Sequence, residues 1–445
     1  VSDKAEDGDT ANVRHYKNSV WDNLGDFIVA EGKITFTIDS FSPFCITIKK
    51  KGSSTGGNAS SNEQIKRNGK IPVGAIYTKE DNTILTGDNG DSFPIPAAGD
   101  SYDEGDYIYT YSRTPEYSYQ KYGSEWSVKV KDTTKTEYSG ILLEIAQKPI
   151  TSMYETFRHC FSLTTAPKIP DSVTIMDYTF TGCDSLYTYV ESTDPNGDFS
   201  NYKIPEGVTS MDSTFFDCKQ LTVAPIIPNY VTNMSATFYS CYKLIAPPII
   251  PNGVTNMSST FGSCSSLTIA PIIPNSVTSI ASLYTGCSSL KTYIGSTDSD
   301  GDFSNYKIPN GVTNMTFTFY WCKLLTKLPK IPENVTDISN AFRHCTSLIT
   351  APDIPDNVTN IAGAFGECTS LITAPIIPER VTNMRYTFEE CTSLTGNVII
   401  NASLGSNACE YCFKDTIKLI TIKGSSTTLN TIAATANNNN VTVQQ

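Results

Sequence analysis

The chain has 445 residues, a formal net charge of −12 and 39% hydrophobic residues, enough for two or three domains with a sizeable core. The negative balance argues against a nucleic-acid binder, which carries a basic stripe on one face. No run of about 18 apolar residues is present to span a bilayer as a helix, and the abundance of Tyr, Thr, Ser, Asn and Pro leans toward strands and turns.

In chain order, Val1 is followed by no charged-then-apolar leader, so a removed signal segment or a trimmed chain is expected. Residues 1–50 end in KITFTIDSFSPFCITIKKK, two alternating apolar runs about a Ser-Pro turn. They predict the closing strands of a β-sandwich-like segment, short enough to be the remainder of a truncated domain. Residues 51–65 have the composition of a flexible linker. Residues 66–148 form a Tyr-rich β region in which Tyr107, Tyr109 and Tyr111 alternate. That aromatic face is either core packing or a surface contacting glycan or peptide. Ser139–Pro149, SGILLEIAQKP, predicts a short helix that caps the first coil of a repeat array.

From Cys160 the cysteines fall at Cys183, Cys218, Cys241, Cys264, Cys287, Cys322, Cys345, Cys368 and Cys391, in steps of 23 or 35. A fixed step is a repeat, not a disulfide framework. The clearest unit is Val254–Ser276, VTNMSSTFGSCSSLTIAPIIPNS. The longer steps carry twelve-residue insertions, within YTYVESTDPNGDFSNYKIPEG and KTYIGSTDSDGDFSNYKIPNG. Cys183, Cys287 and Cys391 are evenly spaced at 104 residues, so a block of four units was copied whole. One unit has a single apolar ridge and cannot bury it alone; stacking on its neighbours does so. The expected fold is mainly β: a right-handed solenoid of about eleven 23-residue coils over 149–423, preceded by the small β-rich region. The last unit, ACEYCFKDTIKLITIKG, is degenerate; Cys412 is expected in the ladder position, Cys409 where Phe usually sits, and 424–445 as a C-terminal cap.

The motif A/T-F-x-x-C-x-x-L followed by I-P-x-x-V-T-x-M/I resembles the BspA-like leucine-rich repeat family of bacterial and protist surface proteins, over about residues 150–423. The resemblance implies a non-enzymatic bacterial protein, extracellular and held at the cell surface, without a cofactor. Its partner in adhesion or host-protein interaction would be a protein or a glycan. A solenoid is a scaffold rather than an activity, so the alternatives are a structural spacer presenting another domain and a glycan-binding module in the Tyr-rich region.

The coil register sets the candidate sites. FRHC occurs twice, at Phe157–Cys160 and Phe342–Cys345. Its cysteines share an inward position with others that have no histidine beside them, and no third group orients a base, so it reads as packing. His159 and His344 are expected to face solvent. Stacked Cα atoms would be about 4.8 Å apart, but parallel side chains keep the Cβ atoms beyond the disulfide range, so free thiols are expected. Cys409-Glu-Tyr-Cys412 has redox or zinc spacing but no second pair.

Asp298, Asp300 and Asp302, like Asp194, Asn196 and Asp198 in the sister insertion, imitate the opening of a calcium loop. Phe303 and Pro309 stand where Gly and Glu would be needed, and a turn explains the same letters. The insertions are expected to protrude with exposed Tyr and Asp.

In Pro-x-Ile-Pro the constant Ile is placed inward and the variable residue outward. The outward column reads Lys168, Lys203, Ile226, Ile249, Ile272, Lys307, Lys330, Asp353, Ile376. Three successive isoleucines, expected on the sheet face and flanked by Lys203 and Lys307, mark either a partner site or residues partly covered by their own prolines. Short strands broken at Pro225 and Pro228 are expected. Sequons such as Asn334-Val-Thr336 read as turn chemistry.

Overall fold

A computed structural model describes residues 10–17, 20–28, 44–49, 76–79, 84–86, 106–109, 117–122, 125–138, 144–145, 148–190, 192, 198–405, 407–416, 418, 420–425, 428–430, 432 and 441–444. The chain divides into two units, Val1–Ile65 and Lys66–Gln445.

The first unit contains a three-stranded antiparallel sheet of order β2-β1-β3, from β1 (Thr10–Lys17), β2 (Val20–Ile28) and β3 (Phe44–Lys49). The second of the two alternating runs supplies β3. The first run and the linker lie outside the described residues.

The second unit opens with an antiparallel sheet of order β5-β4-β6, built from β4 (Ile76–Lys79), β5 (Ile84–Thr86) and β6 (Asp106–Tyr109). Tyr107 and Tyr109 are on β6; Tyr111 lies outside the described residues. A hairpin comes next, β7 (Tyr117–Tyr122) with β8 (Glu125–Val130), and it closes the end of the repeat core. Ser127 bridges Ser152 in parallel, and Thr156 Oγ1 donates to the Val128 carbonyl at 2.6 Å. Tyr117 and Tyr138 are buried with their rings against Phe157.

The helix expected over Ser139–Pro149 is not found where that segment is described. Instead β9 (Glu144–Ile145) pairs antiparallel with β10 (Lys148–Pro149). The segment offers about three turns at most before Pro149, too few to hold a helix unaided, and pairing satisfies its backbone instead.

From Ile150 the chain winds in stacked coils. One file of parallel bridges runs Ser152, Ile175, Ser210, Asn233, Asn256, Ser279 and resumes from Asn314 through Asp337 and Asn360 to Asn383. A second file passes through Asp198, Val223 and Ala246, with the two-residue strands β11 (Thr165–Ala166), β12 (Thr188–Tyr189), β13 (Ile269–Ala270) and β14 (Thr292–Tyr293) on the same side. The strands stop there because Pro cannot donate to a ladder. Where the prolines end the sheet lengthens. β15 (Gly396–Ile400), β16 (Ile420–Gly424) and β17 (Val441–Gln444) form a parallel sheet in chain order. The segment expected as a cap thus supplies β17. Among the described residues, helix occurs only at 428–430 and 432.

In the unit Val254–Ser276, the side chains of Val254, Met257, Phe261, Cys264, Leu267 and Ile273 all point inward and are buried. Equivalent residues stack coil on coil. The aromatic file runs without a break from Phe157 to Phe413, with Phe215, Phe238 and Phe261 nearly parallel at 5.7 and 5.9 Å between ring centroids.

Candidate functional site

Each coil exposes two faces of different character, and the backbone chemistry of each decides what it offers. The first is the arc M-x-x-T-F-x-x-C. Alternate N–H groups close turns within the coil, as Thr260 N donates to the Met257 carbonyl. The others reach the next coil, as Ser259 N donates to Ala281 O at 2.8 Å and Phe261 N to Leu283 O at 3.0 Å. To aim them so, the residues five and one before the cysteine adopt positive φ, 56° at Ser259 and 59° at Ser263. The cysteine then donates its Sγ–H to the preceding coil's Phe carbonyl: Cys264 to Phe238 at 3.0 Å, Cys241 to Phe215 at 3.2 Å, and so on to Cys391 and Phe365. The twelve cysteines from Cys160 to Cys412 are buried and form no disulfide. Burial pushes the Cys345 and Cys391 thiols up to about 12, so neither is a nucleophile at neutral pH.

Cys412 departs from the expected register. Phe413, not Cys409, stacks on Phe388, and the positive φ values fall at Tyr411 and Asp415. This puts Thr416 in the cysteine position, Cys412 in the place of the buried threonine and Cys409 in that of methionine. The aromatic ring sets the register because it buries far more surface than a thiol.

Of the two FRHC histidines, His159 is exposed, but His344 is half-buried rather than solvent-facing. Its Nδ1–H donates to Glu367 at 2.7 Å, and Trp321 packs 4.6 Å away. Arg343 binds both Glu367 and Glu389, and Lys414 binds Glu389 at 3.0 Å, a charge network running across the coils.

The insertions hold their aromatic residues inward, against the expectation of exposed tyrosines. Tyr306 is buried beside Phe303 and Tyr293, and its hydroxyl donates to Pro271 O at 2.8 Å. Tyr202 does the same with Pro167 in the sister insertion. A buried hydroxyl needs a partner, and these carbonyls supply it. The calcium reading fails on geometry, because the three carboxylates turn to separate partners. Asp302 accepts from Lys327 Nζ at 2.7 Å and from Ser304, Asp300 from Lys291 at 3.1 Å, and Asp298 from Tyr293 and Asn305. Among the described residues no group of three His, Cys, Asp or Glu is close enough to hold a metal ion. Asp194 and Asn196 lie outside the described residues; Asp198 caps a turn by accepting from Ser200 N. Asn334, the sequon residue, likewise serves a turn by donating to Asn310 O at 2.8 Å.

The second face is the Pro-x-Ile-Pro segment. Here Ile227, Ile250 and Ile273 are buried while Ile226, Ile249 and Ile272 are 73%, 85% and 63% exposed. Lys168, Lys203, Lys307, Lys330, Asp353 and Ile376 continue the exposed column. The column is not on a sheet face as expected. Among the described residues the ladders run elsewhere in the coil, and this segment joins one only at Ile377, paired with Ile400. The three isoleucines sit in segments TVAPIIPNYVT, IAPPIIPNGVT and TIAPIIPNSVT, which hold no charged residue. Tyr230, four residues after Ile226, is 69% exposed. Further along, Asp353, Asp356, Ile376, Glu379, Arg380 and Asn401 line an open cavity of about 630 Å³.

The family model of the BspA type leucine-rich repeat region matches in six copies over residues 195–300 and 313–444. No curated protein matches the chain. Among solved structures, a leucine-rich repeat protein from Bacteroides ovatus is 17% identical with a TM-score of 0.35, covering 76% of this chain and 100% of its own. A leucine rich cell surface protein from Faecalibacterium prausnitzii is 22% identical (TM-score 0.44; 76% of this chain, 94% of its own). The pneumococcal vaccine antigen PcpA is 16% identical (TM-score 0.41; 75% of this chain, 98% of its own). No helix among the described residues is long and apolar enough to cross a membrane. The repeat register, the buried ladder and the matched span together show that the chain belongs to the BspA type leucine-rich repeat family.

Proposed function

We propose that this is a non-enzymatic bacterial cell-surface protein, a solenoid of about eleven coils. It would bind a macromolecular partner through the Pro-x-Ile-Pro face, with Ile226, Ile249 and Ile272 as the contact row and Lys203 and Lys307 at its ends. The observation that carries the reading is the internal duplication. In the second copy of the four-unit block, Lys330 and Asp353 replace Ile226 and Ile249 and Ile376 stands where Ile272 does, while the buried positions stay apolar. The fold therefore does not need isoleucine at the first two of these places, and three exposed isoleucines in successive uncharged windows ask for another cause. The surface location and a role in adhesion or host-protein interaction rest on the family.

Importing the second copy's residues tests this. The double variant Ile226→Lys/Ile249→Asp should keep the parent's stability to within about 0.5 kcal/mol, the usual range for surface changes. It should lose proteins that the parent retains from a cell-surface extract. Unchanged retention would leave the spacer reading in its place; a loss of several kcal/mol would make the row core. The Tyr-rich region is less suited to hold glycan where its side chains are described, since Tyr117 and Tyr138 are spent on packing. A glycan array with the full chain and with Tyr107→Ala/Tyr109→Ala would decide for β6.

A further inference from the structure

We infer that the occupant of the isoleucine row is a short amphipathic helix of a different protein, about two turns long and acidic at one end; this rests on the reading above. The row is three residues deep and one coil apart. Adjacent coils lie between the roughly 4.8 Å of strand pairing and the 5.7 and 5.9 Å measured between the stacked rings of these same coils. A helix repeats its apolar side chains every 5.4 Å or so along its axis, at i, i+3 or i+4, and i+7. Laid along the stack it drops one anchor beside each isoleucine. An extended strand repeats at about 6.6 Å on one face and drifts out of step within the same distance.

The ends of the row limit its length. Both units that carry an insertion border it, and their column residues are Lys203 and Lys307. Glu206 lies three residues after Lys203, with no ion pair between them among the described residues, whereas the uncharged Asn310 stands at the matching place after Lys307. No ion pair is formed by Lys307 among the described residues. That end presents one uncompensated positive charge to an acidic side chain a turn beyond the last anchor, or to the negative pole of the helix. A second copy of this chain fits worse. A two-fold axis through Ile249 would set Lys203 against Lys307, like charge on like, which costs affinity.

The test is a peptide-display selection on the full-length protein. It would be followed by affinity measurements with the selected synthetic peptides on the parent, Ile249→Asp, Lys307→Glu and, as a remote control at the far end of the column, Lys168→Glu. Selected sequences should share an apolar i, i+3 or i+4, i+7 pattern with Asp or Glu at one end and gain helical circular dichroism on binding. Ile249→Asp should weaken them at least tenfold, Lys307→Glu three- to tenfold and Lys168→Glu less than twofold. Peptides that depend on Ile249 but alternate i, i+2 or carry prolines would overturn the helix while leaving the row as the site. Selection with no dependence on Ile249 would overturn both. Self-association of the parent that Ile249→Asp abolishes, read by analytical ultracentrifugation, would replace the foreign helix with a second copy.

Discussion

At the residue scale the fold rests on two devices that repeat from coil to coil, the second of them from Cys183 to Cys391. The first is the pair of left-handed residues, which are Ser, Ala, Asp, Asn, Glu, Tyr, Phe, His or Trp far more often than Gly. Each non-glycine there costs about 1–2 kcal/mol, offset by the hydrogen bond its N–H makes to the next coil. Ala236, at φ 47° and donating to Ser258 O at 2.8 Å, is a clean place to measure this. Ala236→Gly should leave stability equal or raise it by up to about 1 kcal/mol, strain relief set against a more flexible unfolded chain. Ala236→Val should lower it by about 1–2 kcal/mol, because a branched side chain fits that region badly; denaturant unfolding of both variants reads the difference. The second device is the thiol, apolar enough to stack and still a donor. Cys264→Ala should cost about 1–2 kcal/mol. The Phe238 carbonyl is not orphaned by the change, since Cys241 N still donates to it at 3.1 Å. A cost near 4 kcal/mol would mean that the Sγ–H bond matters more than the packing.

At the element scale the insertions show how far a sequence reading reaches. Their period and place were legible from the cysteine steps, but the direction of Tyr202 and Tyr306 was not. Nothing in SNYKIP says that the tyrosine takes the place of the proline and turns its hydroxyl onto a carbonyl of a neighbouring coil. The Cys412 register failed for a related reason: counting cysteines is weaker than counting aromatic rings, and Phe413-x-x-Thr416 carried the true spacing. The end cap was missed because Ser139–Pro149 has helix-like letters, while the hairpin that does the work, Tyr117–Val130, looks like more of the Tyr-rich region. One electrostatic consequence belongs to the insertion. Burial alone would raise Asp302, but the Lys327 ammonium and the two Ser304 bonds outweigh it and hold the carboxyl at about 2. A folded value below the unfolded one stabilises the native state above about pH 4, and that gain disappears as pH falls toward 2. With solvent screening at the exposed lysine it should be worth about 1 kcal/mol. Asp302→Asn should therefore be less stable than the parent at pH 6 by about that much and equal to it near pH 2. A difference that persists at pH 2 would show that the ion pair is not its source.

For the molecule as a whole, the repeat means that each coil is held only by its neighbours, through the aromatic file, the thiol bonds and the two bridge files. Stability of the stacked unit is then close to a sum of coil and interface contributions, and a break in the middle differs from one at the end. Phe261 lies mid-stack between Phe238 and Tyr284, while Phe388 meets Phe413 near the last coils. Truncating either buried ring should cost about 3–5 kcal/mol locally. Phe261→Ala removes two stacked interfaces at the centre, so unfolding should split: two transitions by circular dichroism, with loss of amide protection on both sides of residue 261. Phe388→Ala should leave one main transition near the parent's midpoint and free only the amides beyond about residue 380, because the upstream coils keep their contacts. The isoleucine row, at coils 226–272, lies against the central break and not the terminal one. Helical peptides selected on the parent should thus lose affinity in the Phe261 variant and keep it in the Phe388 variant. A single unshifted transition for Phe261→Ala would mean that the coils fold as one cooperative body, and the nearest-neighbour account of this stack would have to be given up.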